Sequence, residues 1–169
     1  MPSTYEPIAT TTLGSAVTTV TFSSISSAYT DIVLVCGNLG MSAGGSAGRL
    51  RFNSDTGSNY SGTWLYGTGS TAGSSKDSSQ TSMRIIGANI GPTSGANNDT
   101  YIFQIQNYSN TTTYKTVVGR GNAPANETYA IVGLWRSTSA ISSVDIISYN
   151  GSDTFRIGST FTLYGIKAA

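Results

Sequence analysis

Apolar and polar residues alternate with period two along much of this chain, and no stripe at three-and-four spacing runs far enough to compete. In TVTF (19–22), Val20 and Phe22 share a face; in YIFQIQ (101–106), Tyr101, Phe103 and Ile105 oppose Gln104 and Gln106; in FTLYGI (161–166), Phe161 and Leu163 go together. A strand turns successive side chains to opposite faces, so each segment offers one face to a core and one to water. DIVLVC (31–36) and AIVGLW (130–135) are apolar on both sides, which predicts central strands covered on each face. GRLRF (48–52), TWLY (63–66), SMRII (82–86), YKTVVG (114–119) and SVDIIS (143–148) are further candidates, and the amino-terminal sequence is strand-like from the outset. The pattern predicts an all-β fold, an antiparallel β-sandwich or jelly roll, in one domain over residues 1–169, with helix limited to a turn or two.

The connections have their own chemistry. Asn150-Gly151 in YNGS (149–152) is a strong hairpin signal, because both central residues of that turn type take positive φ. Longer connections are expected at 37–48, 67–82 and 87–100, and loops above about 12–15 residues are uncommon unless they bind something or stay mobile. RFNSDTGSNYS (51–61) spaces Asn53, Asp55 and Asn59 like ligands of a calcium loop, with Tyr60 beside them. Counting from Asn53, however, Ser58 stands where that loop needs Gly and Trp64 where it needs a bidentate Glu. The better reading is a turn between two strands, held by Asx side chains, with Gly57 supplying a left-handed bend.

Catalytic motifs are incomplete. GMSAG (40–44) matches the nucleophile elbow with Ser42 in the nucleophile's place, but the chain has no histidine to act as its base. Gly40 and Gly45 have phosphate-loop spacing, yet Ser46 and Ala47 stand where Lys and Ser/Thr are required. With no histidine and a single cysteine, Cys36, placed inside an apolar run, the common zinc, copper and haem sites are not expected, and an internal disulfide is excluded. Paired carboxylates are the remaining route to hydrolysis. The eight acids are Glu6, Asp31, Asp55, Asp77, Asp99, Glu127, Asp145 and Asp153, none adjacent to another. No enzyme activity, cofactor or metal is therefore expected.

Charged residues make up 10% of the chain against about 25% in an average soluble domain, and the net charge is +1 with Lys and Arg scattered singly. Such a chain has no basic stripe for nucleic acid, and no apolar run approaches the roughly 18 residues of a membrane span. Asn-x-Ser/Thr triplets at Asn59, Asn98, Asn107, Asn110, Asn126 and Asn150 follow from composition, since no secretion signal accompanies them. The ten tyrosines and two tryptophans can fill subunit interfaces or stack on sugars. Trp64 and Tyr66 share a strand face opposite Leu65, whereas Trp135 reads as core.

Three stretches, TYEPIATTTLGSAVTTVTFSSISSAYTDIVLV (4–35), LRFNSDTGSNYS (50–61) and GSTFTLYGIKAA (158–169), bracket nearly the whole chain. On them the sequence resembles small all-β virion proteins of tailed bacteriophages, notably those of cyanobacterial and other aquatic hosts. Where relatives often carry proline before AYTD, this chain reads SSISSAYTD, which bears on the geometry of that bend. The resemblance implies a structural part of the phage particle, on the head or in the tail fibres, and supplies no catalytic or binding residues. The expectation is a capsid decoration or cement protein at the virion surface, a homo-oligomer, expected to be a trimer, that docks on other virion proteins through its sandwich faces. The alternative is a tail-fibre or baseplate adhesin that contacts host surface glycan through Asn53, Asp55, Asn59, Tyr60, Trp64 and Tyr66.

Overall fold

The structure, a computed structural model, describes residues 4–42, 48–86, 99–124 and 127–167. Among them are twelve strands and no helix: β1 (Tyr5–Thr12), β2 (Thr19–Phe22), β3 (Asp31–Leu39), β4 (Gly48–Phe52), β5 (Tyr60–Gly67), β6 (Ala72–Gln80), β7 (Met83–Arg84), β8 (Asp99–Gln106), β9 (Lys115–Ala123), β10 (Glu127–Trp135), β11 (Val144–Ser148) and β12 (Thr160–Ile166). They form an eight-stranded sheet, ordered β1-β12-β3-β8-β9-β10-β5-β6, and a four-stranded sheet, ordered β2-β11-β4-β7. All pairings are antiparallel, and the two sheets pack together as a β-sandwich. The eight-and-four division does not identify the fold as a jelly roll.

The period-two pattern becomes the core. Val20 and Phe22, Leu50 and Phe52, Met83, and Val144 and Ile146 point inward from the small sheet. Ile32 and Leu34, Tyr101, Phe103 and Ile105, Val117, Ile131 and Trp135, and Phe161 and Leu163 point inward from the large one. Each large side chain removed from water contributes about 1.5–3 kcal/mol, so this interdigitated layer is the main favourable term in folding. Cys36 lies within it, fully buried, and burial pushes its thiol well above the usual range, so the thiolate form is suppressed. Glycines on the inward face of β9 leave room for rings from β8. A Cβ on Gly121 would sit 1.9 Å from the Tyr101 ring and one on Gly119 2.3 Å from the Phe103 ring.

Several expectations are corrected. Residues 67–82 are not a loop, because most of them form β6, an edge strand paired only to β5. An edge strand is held by one ladder of backbone bonds and buries little, so it needs no apolar alternation and is protected by polar side chains. AIVGLW is not covered on both faces: Val132 is 56% exposed and lies outward, while Ile131 and Trp135 fill the core. In SMRII only Met83 and Arg84 are strand, and the N–H groups of Ile85 and Ile86 both bond to the Gly48 carbonyl at 3.1 Å. The long connection at 37–48 is shorter than expected, since Gly37–Leu39 completes β3. Asn150-Gly151 does form a turn, but only Gly151 has positive φ, and β11 and β12 are not paired across it. Asn150 Oδ1 instead accepts from the N–H groups of Ser152 and Asp153. In SSISSAYTD, Ser24 takes the left-handed bend at φ 55°.

Replacing Gly121 by valine drives a branched side chain into the Tyr101 ring. It is expected to lower the unfolding free energy by about 2–3 kcal/mol in a denaturant titration, whereas exposed Gly69→Ser, set in open space but at φ 85°, should cost less than that.

Candidate functional site

The turn from β4 to β5 carries four of the residues expected to contact a partner. Asn53 and Ser54, at φ 52° and 54°, take the left-handed conformation that was expected of Gly57, which does not have positive φ. Asparagine tolerates this region because its short polar side chain bonds locally. Asn53 Oδ1 accepts from the N–H groups of Ser142 (2.8 Å) and Ser143 (3.1 Å), and its Nδ2 donates to the Ala140 carbonyl at 2.7 Å. Asp55 accepts from the Gly57 N–H (2.8 Å), Asn59 Nδ2 (2.9 Å) and the Trp135 indole N–H (2.7 Å). These bonds, that from Asn59 foremost, hold its carboxyl below the usual range. Gly57 matters for space: a Cβ there would lie 2.6 Å from Asn59 Nδ2 and 3.0 Å from Asp55 Oδ1.

Tyr60 is fully buried, its hydroxyl accepting from the Phe52 N–H (3.0 Å) and donating to the Phe52 carbonyl (3.3 Å), and burial raises it to about 12. Trp64 is buried under the Arg84 guanidinium, which lies 4.6 Å from its ring centre. Tyr66 is half-buried against Gly73 and Tyr129. The structure thus brings Asn53, Asp55, Asn59 and Tyr60 together through internal hydrogen bonds and places Trp64 and Tyr66 further along β5. Ser42 of the incomplete nucleophile elbow pairs with Thr154, accepting its N–H at 2.9 Å. Residues 43–47 and 87–98, and with them part of that motif, most of one long connection and Asn98, lie outside the described residues, as does Asn126. Among the described residues no group of three or more His, Cys, Asp or Glu is placed to hold a metal.

Two surfaces present chemistry to a partner. One is the outward face of the large sheet. Register sets Thr63, Val132, Val118, Gln104, Val33 and Tyr164 in one row across six strands. Leu65, Ala130, Arg120, Ile102, Val35 and Thr162 form the next. Leu65, Val118 and Val132 are 57%, 44% and 56% exposed, and Arg120 is the one charged side chain at the outward positions of β5, β8, β9 and β10. Comparison with known protein families, curated proteins and solved structures finds no match for the chain.

The other surface is a cavity of about 340 Å³ on the outward side of the small sheet. Arg49 and Arg51 alternate with the buried Leu50 and Phe52 along β4, so their guanidinium groups share the outward face. Arg49, only 6% exposed, donates through Nη1 to the Ser82 carbonyl (3.1 Å) and through Nη2 to Asp77 (3.4 Å), and lies over the Tyr149 ring at 4.5 Å. Burial pushes this guanidinium below its usual range and Asp77 opposes the shift. Arg51 Nε donates to the Thr81 carbonyl at 3.3 Å. Sequence reasoning passed over these residues because the charges looked scattered. The available signal was two arginines two apart in a strand, which necessarily share a face.

Asp99, at the start of β8, is fully buried, and neither carboxylate oxygen has a hydrogen-bond partner among the described residues. Desolvation raises its pKa to about 6, against a weaker opposing pull from Arg156. A carboxyl raised above its unfolded value binds its proton on folding, so it favours the fold most below about pH 4 and this contribution is lost as pH rises toward 6. The difference in unfolding free energy between wild type and Asp99→Asn should therefore change by about 2–3 kcal/mol between pH 4 and pH 7, with the variant the more stable relative to wild type at pH 7. At the β4–β5 turn, Asp55→Ala leaves the Trp135 indole N–H and Asn59 without their acceptor and should cost about 1–3 kcal/mol at pH 7. Chemical denaturation followed by tryptophan fluorescence reads both effects.

Proposed function

We propose that the protein is a non-enzymatic structural component of a tailed-phage particle, a decoration or cement subunit that packs through the open face of its eight-stranded sheet. The observation that supports this most is the face itself. Eight strands at about 4.8 Å spacing, each offering about four outward residues at about 6.8 Å intervals, make a surface of about 1,000 Å², enough for the roughly 800 Å² per partner of a standard interface. Its aliphatic side chains gain from desolvation, its hydroxyl and amide side chains can replace water by bonds across the contact, and its single charge over the four strands β5, β8, β9 and β10 limits repulsion between identical subunits. The occupant proposed is a second copy of this chain, sheet against sheet, with Val118, Val132 and Leu65 central to the contact. The resemblance to phage virion proteins agrees with such a passive, self-packing role.

Sedimentation equilibrium of the purified chain is expected to show self-association that Val118→Lys with Val132→Lys abolishes while the melting temperature stays within a few degrees. A wild-type monomer at micromolar concentrations, or variants that associate unchanged, would remove the face as the assembly surface. On a stained gel of purified particles, the band should be comparable in copy number to the major capsid protein. A copy number at the level of a tail part would instead favour the fibre or baseplate location.

A further inference from the structure

We propose that the cavity above β4 and β11 binds a carboxylated sugar residue, with the terminal nitrogens of Arg51 and the Nε of Arg49 facing the carboxylate and the surrounding threonine hydroxyls facing the sugar ring. The site lies on the opposite side of the sandwich from the open face of the large sheet and does not rest on the assembly reading.

The cavity is built from two sheets at once. Arg49, Arg51, Ile147 and Thr19 form its floor on the small sheet, and Gln80 at the end of β6 brings in a wall from the large one. Its volume lies within the range of small-molecule sites, at the lower end, which suits a single sugar ring. Arg51 is half-buried, and its bond to the Thr81 carbonyl uses Nε, leaving the terminal nitrogens for the fork-shaped recognition that guanidinium groups give carboxylates. On this face Arg49 and Arg51 stand against Asp77 and Asp145, while the Arg84 guanidinium turns to the Trp64 ring. Asp145 is itself engaged by Thr21 Oγ1 at 2.8 Å and Ser54 Oγ at 3.4 Å.

One lining group has unmet hydrogen-bonding capacity. Arg49 Nε is buried without a hydrogen-bond partner among the described residues, and the residue is more than nine-tenths buried. An unsatisfied buried donor is costly, so a ligand that supplies an acceptor as this side chain adjusts recovers part of that cost. The remaining lining favours a polyhydroxylated body over a bare anion. Thr18, Thr19 and Thr81 present hydroxyl groups, Gln80 accepts from Arg49 Nη1 at 3.5 Å and donates to the Ser78 carbonyl at 3.0 Å, and Tyr149, 61% exposed, offers an aromatic edge at the rim. An inorganic anion would satisfy the arginines and leave those groups unused.

The test is a calorimetric or NMR titration of the full chain at low ionic strength with D-glucuronate, D-glucose, acetate and inorganic phosphate. Glucuronate is expected to bind saturably, and each of the other three at least about tenfold more weakly, a difference of about 1.4 kcal/mol. Arg51→Gln should weaken glucuronate binding by about tenfold or more without lowering the melting temperature, since its side chain makes one peripheral hydrogen bond. Absence of saturable glucuronate binding, phosphate binding as tight as glucuronate, or an Arg51→Gln variant of unchanged affinity would each overturn the assignment.

Discussion

The crossing from β4 to β5 is the constraint on which the sandwich depends. Within it the chain leaves the small sheet at Phe52 and enters the large one at Tyr60, and the Tyr60 hydroxyl returns to both backbone groups of Phe52. Phe52, Tyr60 and Trp135 pack with ring centres 5.5–6.4 Å apart, so side chains from the two sheets meet in one aromatic cluster. Three polar groups enter this layer at tolerable cost because each is satisfied: the indole N–H by Asp55, the phenol by the backbone, and the Asp55 carboxylate by three donors. A residue spacing that resembles a cation loop in sequence is, in space, a clamp between sheets.

The two outward surfaces differ because the sheets differ in what borders them. The large sheet is wide enough that its central strands have neighbours on both edges, and its outward positions are filled with Val, Leu, Thr and Gln. The small sheet is narrower, and the end of β6 with Thr81 and Ser82 folds over its edge, so its outward arginines are partly roofed. Roofing makes a cavity and desolvates the charge in it; width makes a plane. A plane suits contact with another protein surface, and a desolvated basic cavity suits a small anionic group.

The sequence was least informative where stability comes from position in the sheet. β6 reads AGSSKDSSQ, with no apolar face, and becomes a strand because β5 offers a free ladder edge and Arg49 pairs with Asp77. Outward Val132 looked like core because an aliphatic residue is written the same way on either face. Its exposure depends on whether another layer covers that side, which no local pattern encodes. In the turn, Gly57 was the natural choice for positive φ, yet long-range bonds from Asn53 to Ala140, Ser142 and Ser143 hold Asn53 and Ser54 there instead.

The pattern of side chains alone determined that this chain is all-β and two-layered, that the alternating apolar residues of segments such as TVTF and YIFQIQ fill the core, and that Trp135 and Cys36 are interior, because burial with period two follows from strand geometry. The turn character of residues 53–59 was equally legible from Asx chemistry. Tertiary structure alone decided which strands lie at the edges, which apolar face stays open, and which single charges converge. Those outcomes depend on pairing between segments far apart in the chain, as when Gln80 and Tyr149 are brought to Arg49. Local sequence carries the preference of each segment for a strand, and the free energy that selects its neighbour appears only when all the strands are assembled.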